Sequence, residues 1–271
     1  MIIKRNIPTY SISWLSDKDG SCTGIINELY YPQTTEELVD LCQEFWSKDK
    51  RFYIFGHTSN SYFKPAFSPE IVISTLKLSS YSVLSDSVVA QCGAHLRKIA
   101  KDMVERGFVG FEGMIDIPGT IGAAVYGNAG AYGCEIANVV ESVKFLDKKE
   151  GIVILSVADM QFSRRSSILK KGQKEGVILS VTLRMIHGDK SFLQSKSKES
   201  HLDRLRTQPG PQNNLGSCFV GGGGRKMAIP FAPQGYSHCF ACHEKTVRLR
   251  TGNNAKAPWL QTFSPIYTFN E

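Results

Sequence analysis

No stretch of the 271-residue chain approaches the ~20 consecutive apolar residues needed to cross a bilayer. Met1 to Trp14 carry Lys4 and Arg5 but no continuous apolar run, so the start of the chain does not read as a secretory leader. A cytoplasmic protein with no membrane partner is therefore the expectation. Cysteine is sparse and odd in number, seven scattered through a long chain, which excludes a disulfide framework and points to reduced thiols. Also missing are internal repeats, a Gly-x-Gly-x-x-Gly dinucleotide fingerprint, a P-loop and any nucleic-acid-binding module. No nucleic-acid partner is expected.

Lys and Arg outnumber Asp and Glu 32 to 25, for a net charge of +7. From Gly221 onward six Lys or Arg stand against two Glu, so much of the excess lies in the tail. A basic face suits a pyrophosphate-bearing ligand as well as simple solvation. Hydrophobic content of 42% and charged content of 21% are those of an ordinary globular protein.

Thr34-Thr35-Glu36-Glu37 offers a helix cap, and Leu38, Leu41, Cys42 and Phe45 follow at helical spacing. Phe52 to Phe55 reads as a short strand running into Gly56-His57-Thr58-Ser59-Asn60. Ile71 to Ser74 and Val88 to Gln91 read as further strands. Leu96, Ile99, Ala100, Met103 and Val104 define a second amphipathic helix, with Gly107 as its cap. From Gly107 to Gly133 there are eight glycines, which argues against helix or regular sheet in that segment. Val139 to Leu146, Ile152 to Val157 and Val177 to Met185 read as strands. Lys190 to Arg206, dense in charge and serine, suits an exposed helix or linker. The order predicts an α+β protein with units at residues 1–76, 77–189 and 190–271.

Two glycine-bearing segments carry the chemistry. A tight turn after a strand, as at Gly56 to Asn60, points successive backbone N–H groups into one concavity, where phosphate oxygens commonly sit. Taken alone, such a turn is more often just a turn. The second segment runs Ile117-Pro118-Gly119-Thr120-Ile121-Gly122-Ala123-Ala124 and on through Asn128-Ala129-Gly130-Ala131-Tyr132-Gly133. It lacks bulky side chains without becoming charged. That composition makes sense if a large flat group lies against bare backbone; a tight crossing of two chain segments is the alternative.

These motifs, in this order, resemble the FAD-binding region of the UDP-N-acetylenolpyruvoylglucosamine reductases (UDP-N-acetylmuramate dehydrogenases). Gly56 to Asn60 matches that family's Gly-Gly-Gly-Ser-Asn loop, and Ile117 to Ala124 its Ile-Pro-Gly block. Asn128 to Glu135 matches its Asn-x-Gly-Ala-Tyr-Gly-x-Glu block, and Glu112-Gly113 stand just before. The likeness extends over roughly residues 20 to 219. It implies two FAD-binding subdomains of the vanillyl-alcohol-oxidase (PCMH) type, followed here by a reduced substrate lobe. It also implies FAD as cofactor, NADPH as hydride donor and a UDP-sugar as substrate, in peptidoglycan precursor synthesis. The cofactor-binding residues it implies are Gly56, His57, Thr58, Ser59, Asn60, Ile117, Pro118, Gly119, Thr120, Gly122, Ala123, Ala124, Asn128, Gly130, Ala131 and Gly133. Phe162-Ser163-Arg164-Arg165-Ser166-Ser167 resembles the family's Phe-Gly-Tyr-Arg-x-Ser motif, which assigns Arg165 to the substrate carboxylate. Gln208-Pro209 followed by Gly216-Ser217-Cys218-Phe219 resembles its Gln-Pro and Gly-Ser-x-Phe segments, which assigns Ser217 as proton donor.

Three departures stand out. His57 and Thr58 replace two glycines of the phosphate loop, and Arg164 replaces the family's tyrosine. Beyond Phe219 come Val220 and four glycines, and the family's later catalytic Glu has no counterpart. A diverged flavoprotein with another substrate, or an FAD-binding relative without reductase activity, therefore stays open. In the tail, Cys239-Phe240-Ala241-Cys242-His243 has the C-x-x-C-H spacing of covalent haem attachment, with His238 beside it. Haem attachment requires export, and zinc would require a second ligand pair, so no metal site is expected.

Overall fold

The computed structural model of the protein describes residues 1–12, 24–61, 63 and 67–208. The chain begins with strand β1 (Ile2–Pro8), a 3₁₀ turn (Thr9–Ile12) and strand β2 (Ile25–Tyr31). Helix α1 (Thr35–Ser47) follows, then β3 (Tyr53–Phe55) and β4 (Ile71–Ser74). The four strands form one sheet in the order β1-β2-β4-β3, with β1 antiparallel to β2 and the other pairs parallel. Parallel neighbours cannot be joined by a hairpin, so α1 makes the crossover from β2. The cap is as the sequence predicts: Thr34 Oγ1 accepts from the Glu37 N–H at 3.2 Å, while Glu37 reaches back to the N–H of Gln33. Leu38, Leu41, Cys42 and Phe45 are buried against the sheet.

A second sheet is antiparallel. It begins with β5 (Tyr81–Val83) and β6 (Ser87–Gln91); helices α2 (Leu96–Arg106) and α3 (Ile121–Tyr126) and the small hairpin β7 (Gly130–Ala131) and β8 (Cys134–Glu135) then intervene in the chain. Strands β9 (Val140–Asp147), β10 (Gly151–Ser156) and β11 (Gly176–Arg184) complete the order β10-β9-β11-β6-β5, the hairpin β7-β8 standing apart as its own ladder. α2 ends at Gly107 in the left-handed region, φ +84°, as its sequence indicates. The last described element is α4 (Lys190–Thr207).

The architecture is α+β, and one hydrophobic core runs from Leu38 of α1 and Ile73 of the first sheet to Val143, Leu179 and Val181 of the second. Among the described residues no helix is long and apolar enough to cross a membrane. Cys42, Cys92 and Cys134 are free thiols, and burial pushes those of Cys42 and Cys92 well above their ordinary range.

One expectation fails. The glycine-dense segment is not devoid of regular structure, since it holds α3 and the β7-β8 hairpin. Ile121, Ala124 and Val125 give that single turn and a half an apolar buried side, and Thr120 caps it by accepting from the Ala123 N–H at 3.4 Å. Glycine at position 122 is used for close packing there, its N–H donating to the Cys92 carbonyl at 2.9 Å.

Candidate cofactor and substrate site

The two glycine segments meet. Gly56 follows β3, and a Cβ built on it would lie 2.5 Å from the Thr120 hydroxyl, so only glycine allows this approach. A Cβ on Gly119, whose φ is +113°, would lie 3.1 Å from the Ser59 hydroxyl. The second segment is held from behind: Leu96 N–H donates to the Gly119 carbonyl, and Ile121 N–H to that of Ala94. The first is held by Thr58, at φ +53°, whose hydroxyl donates to the Ile12 carbonyl at 2.7 Å.

Where the loops touch, backbone donors are left over. Among the described residues no group accepts from the N–H of Thr58, Ser59, Gly119 or Thr120. Three of these residues are buried, Thr120 to 2% exposure. Buried N–H groups without partners are rare in native proteins and ask for a polar occupant. Donors gathered where two loops meet, with glycine at the points of closest approach, make a candidate anion cradle of a kind that suits a pyrophosphate.

Beside the cradle a cleft of about 600 Å³ opens between the two sheets. Gly56, Thr120, Gly122 and Ala123 line its inner part, with Tyr53 from β3, Tyr126 from α3 and Val177 and Ile178 from β11. Lys50, Arg51, Lys148 and Lys174 also line it, and the Arg51 guanidinium lies 5.3 Å from the centre of the Tyr53 ring. Asp49 and Glu175 line it too, and Lys148 and Lys174 are paired with carboxylates, so it is the aromatic and aliphatic walls that suit a nucleotide. His57 stands at the junction of the loops with its ring 4.5 Å from that of His95 in an edge-to-face pair. Burial, and then the neighbouring His95, push the His57 imidazole below its ordinary pKa.

Asn128 to Gly133 form the turn into the β7-β8 hairpin, with positive φ at Asn128, Tyr132 and Gly133. Asn128 is 1% exposed, and its side chain is fully engaged. Its amide donates to Glu135 at 3.0 Å and to the Ser163 carbonyl at 2.9 Å, and its oxygen accepts from Ala137 N–H at 3.2 Å. Asn128 is thus a structural staple, while Gly130 and Ala131 present backbone. Ile117 and Pro118 lead into Gly119, and Ala123 and Ala124 lie on α3, Ala123 facing the cleft and Ala124 buried.

Arg165 comes to this same hairpin. Ser163 and Ser166 exchange two backbone hydrogen bonds of 3.0 Å, and Arg165, at φ +57°, sits in the turn between them. Its guanidinium donates to the carbonyls of Asn128 and Gly130, which fixes the plane of the fork and leaves its other donors for a ligand. Half-burial lowers its pKa, Glu135 opposes that shift and the exposed Arg164 adds to it. Ser167, fully buried, donates to the Tyr126 carbonyl at 2.6 Å, joining the arginine motif to α3. Lys170 donates to the Arg165 carbonyl at 3.0 Å; burial, and then Arg165, hold its pKa below the ordinary lysine value.

α4 straps the glycine-rich region from outside. Lys196 pairs with the buried Glu112 at 3.0 Å, and His201 Nδ1 lies 2.7 Å from Asp116, which Arg97 of α2 also reaches. The Tyr132 hydroxyl donates to Asp203 at 3.3 Å. His95, Glu135, Lys170 and Lys196 are the participants that sequence reasoning passed over. Glu135 closes the Asn128 to Glu135 block, and the other three belong to no motif. Ser217 and the Cys239 to His243 segment lie outside the described residues.

Residues 27–156 match the family model described as "FAD binding domain". The UDP-N-acetylenolpyruvoylglucosamine reductase of Clostridium beijerinckii is 32% identical over 187 residues, covering 69% of this chain and 60% of that protein. That of Lactococcus lactis subsp. cremoris is 32% identical over 219 residues, 81% of this chain and 71% of the relative. The chain thus spans between about three-fifths and seven-tenths of the length of these two relatives. The crystal structure of the Thermus caldophilus UDP-N-acetylenolpyruvylglucosamine reductase shares the fold, with a TM-score of 0.68 at 23% identity over 84% of this chain and 77% of the other. With the glycine loops, the cleft and the arginine turn all present on that shared fold, the chain belongs to the UDP-N-acetylenolpyruvoylglucosamine reductase family.

Proposed function

We propose that the protein is an FAD-dependent, NADPH-using reductase acting in the cytoplasm on UDP-N-acetylenolpyruvoylglucosamine, or a related enolpyruvyl sugar nucleotide, in peptidoglycan precursor synthesis. The observation that carries this reading is the meeting of the two loops: the N–H groups of Thr58, Ser59, Gly119 and Thr120, without acceptors among the described residues, lie where the loops touch, beside a cleft of about 600 Å³ that Gly56 and Thr120 line. Those donors would hold the pyrophosphate, and the bare backbone at Gly56 and Gly119 lets it come close. Bound FAD would supply hydride-transfer chemistry. The chain's own share is position and charge. Arg165, its guanidinium fixed by two carbonyls, would stabilise negative charge on a substrate carboxylate. Ser217 is the proton donor that the family likeness assigns.

The test uses the full chain. It should carry flavin, with an absorption band near ~450 nm. NADPH oxidation should depend on the enolpyruvyl sugar nucleotide. A colourless protein that cannot be reconstituted with FAD overturns the whole reading. Flavin without substrate-dependent NADPH oxidation leaves an FAD-binding relative and overturns the reductase.

A further inference from the structure

His57 occupies a position where a small residue would suffice to make the loop, and it brings a titratable ring to the anion cradle. The residue before it, Gly56, touches Thr120, and the residues after it, Thr58 and Ser59, carry two of the four unpartnered N–H groups. Across the junction, His95 forms a β-bridge with Thr120, so its backbone belongs to the frame of the second loop. The two rings meet edge to face at 4.5 Å, His57 carried by the first loop and His95 by the segment bridged to the second. We propose that His57 and His95 form an imidazole pair that contacts the cofactor's pyrophosphate and takes up a proton as FAD binds. The proposal rests on the FAD reading above and makes the affinity for FAD depend on pH.

The physical reason is competition between environments. Two imidazoles at this distance cannot both be charged cheaply, and half-burial already favours the neutral form of His57. Among the described residues His95 is the titratable group that acts on it. Of the other charged groups near, Arg97 on the first turn of α2 is engaged with Asp116, and Asp116 with His201. A pyrophosphate brings two negative charges to the loop, which favours the imidazolium and raises its pKa. The sign follows. Between the free and the bound pKa, binding takes up a proton, so FAD binds more tightly as pH falls through that window. Above it both states are neutral and the dependence flattens.

FAD-loaded full-length protein is diluted at pH values from about 6 to 8, and released flavin is read by its fluorescence; one coupled proton changes Kd by at most about tenfold per pH unit. The expected result is a Kd that rises several-fold from the acid to the alkaline end. Calorimetry of FAD rebinding in two buffers of different ionisation enthalpy should show proton uptake. His57→Gly, which restores the family's residue, should still bind FAD but with a flat pH profile and no uptake. His95→Gln should reduce the uptake while His57 remains. A wild-type Kd that is flat across the range, or an unchanged slope in His57→Gly, overturns the pair. Failure of FAD to bind to wild type at any pH overturns the cofactor reading itself, a different result.

Discussion

The two glycine loops share a task and differ in how their shape is held. The first, Gly56 to Asn60, is tied among the described residues by the Ser61 N–H, which turns back to Thr58, and by the Thr58 hydroxyl, which reaches Ile12. It takes its form from β3 behind it and from contact with Thr120 and Gly119 across the cradle. The second, from Ile117 to Gly133, is fastened by side chains, its own Asn128 and Tyr132 and others from the segments around it. Asn128 binds three partners, Ser167 and Arg165 pin it from below, and α4 holds Glu112, Asp116 and Tyr132 from outside. The second loop is the template and the first is moulded on it. Damage to the second should therefore spread to the first, and damage to the first should stay local.

Arg165→Ala is expected to have the largest effect, because the arginine is assigned both to the template and to the substrate. kcat/KM for the enolpyruvyl sugar nucleotide should fall by about 10²–10³, or roughly 3–4 kcal/mol of transition-state stabilisation. Flavin content should be largely retained. Lys in its place recovers the charge but not the fork that reaches two carbonyls at once, so rescue should be partial. An unchanged rate with a purified, flavin-loaded variant would remove Arg165 from the substrate and leave it a staple. Loss of flavin as well would show that the staple reaches as far as the cradle.

Asn128→Ala tests the template alone. It removes the acceptor of the half-buried Ala137 N–H and the amide that ties Glu135 to the Ser163 carbonyl, and puts alanine at φ +45°. Unfolding in urea should reveal a loss of about 2–4 kcal/mol. Asn128→Asp should not rescue, since it sets a second carboxylate against Glu135. By comparison Gly56→Val attacks the moulded loop. Its Cβ would sit 2.5 Å from the Thr120 hydroxyl, and relieving that clash should cost about 1–3 kcal/mol. The loss should be read as fewer flavins per chain, with the unfolding midpoint moved less than in Asn128→Ala. Equal losses of stability in both variants would contradict the template and the mould.

What could be read from the sequence follows the same division. Where side chains encode a period, the reading succeeded: α1 and α2 bury the residues their spacing selects. Three of the second sheet's strands, β9, β10 and β11, are found within a residue or two of their predicted ends. The strands β1 and β2 went unread, although Ile26, Leu29 and Tyr30 of β2 are buried, because Asn27 and Glu28 interrupt the apolar run. The two loops were legible as motifs, but their contact was not, since glycine reports nothing about what it touches. α4 was legible only as a charged segment. It buries Leu193, Ser197 and Ser200 and makes polar ties through Lys196 and His201, so a single leucine stands where an apolar stripe would, and periodicity had little to find.

The smallest expected effect concerns that strap. Burial alone would raise the pKa of Glu112, but backbone N–H donors, with the Lys196 ammonium, outweigh it and hold the carboxyl below its ordinary value. A carboxylate with a depressed folded-state pKa stabilises the fold above its unfolded pKa, and that contribution is lost as pH falls through the folded value. The strap should thus weaken only below about pH 4.5. Lys196 is 40% exposed, so solvent screens the pair and its worth is about 1 kcal/mol or less. Glu112→Gln keeps the side-chain shape and an acceptor for Gly110 N–H while removing the charge. Hydrogen exchange of α4 amides should then be slightly faster than wild type at neutral pH and should converge with it in acid. The second loop, still held by Asn128 and Ser167, should keep its protection in the same experiment. If the loop's amides open together with α4, the strap is part of the template, and the boundary between the two regions lies further out than the side-chain network suggests.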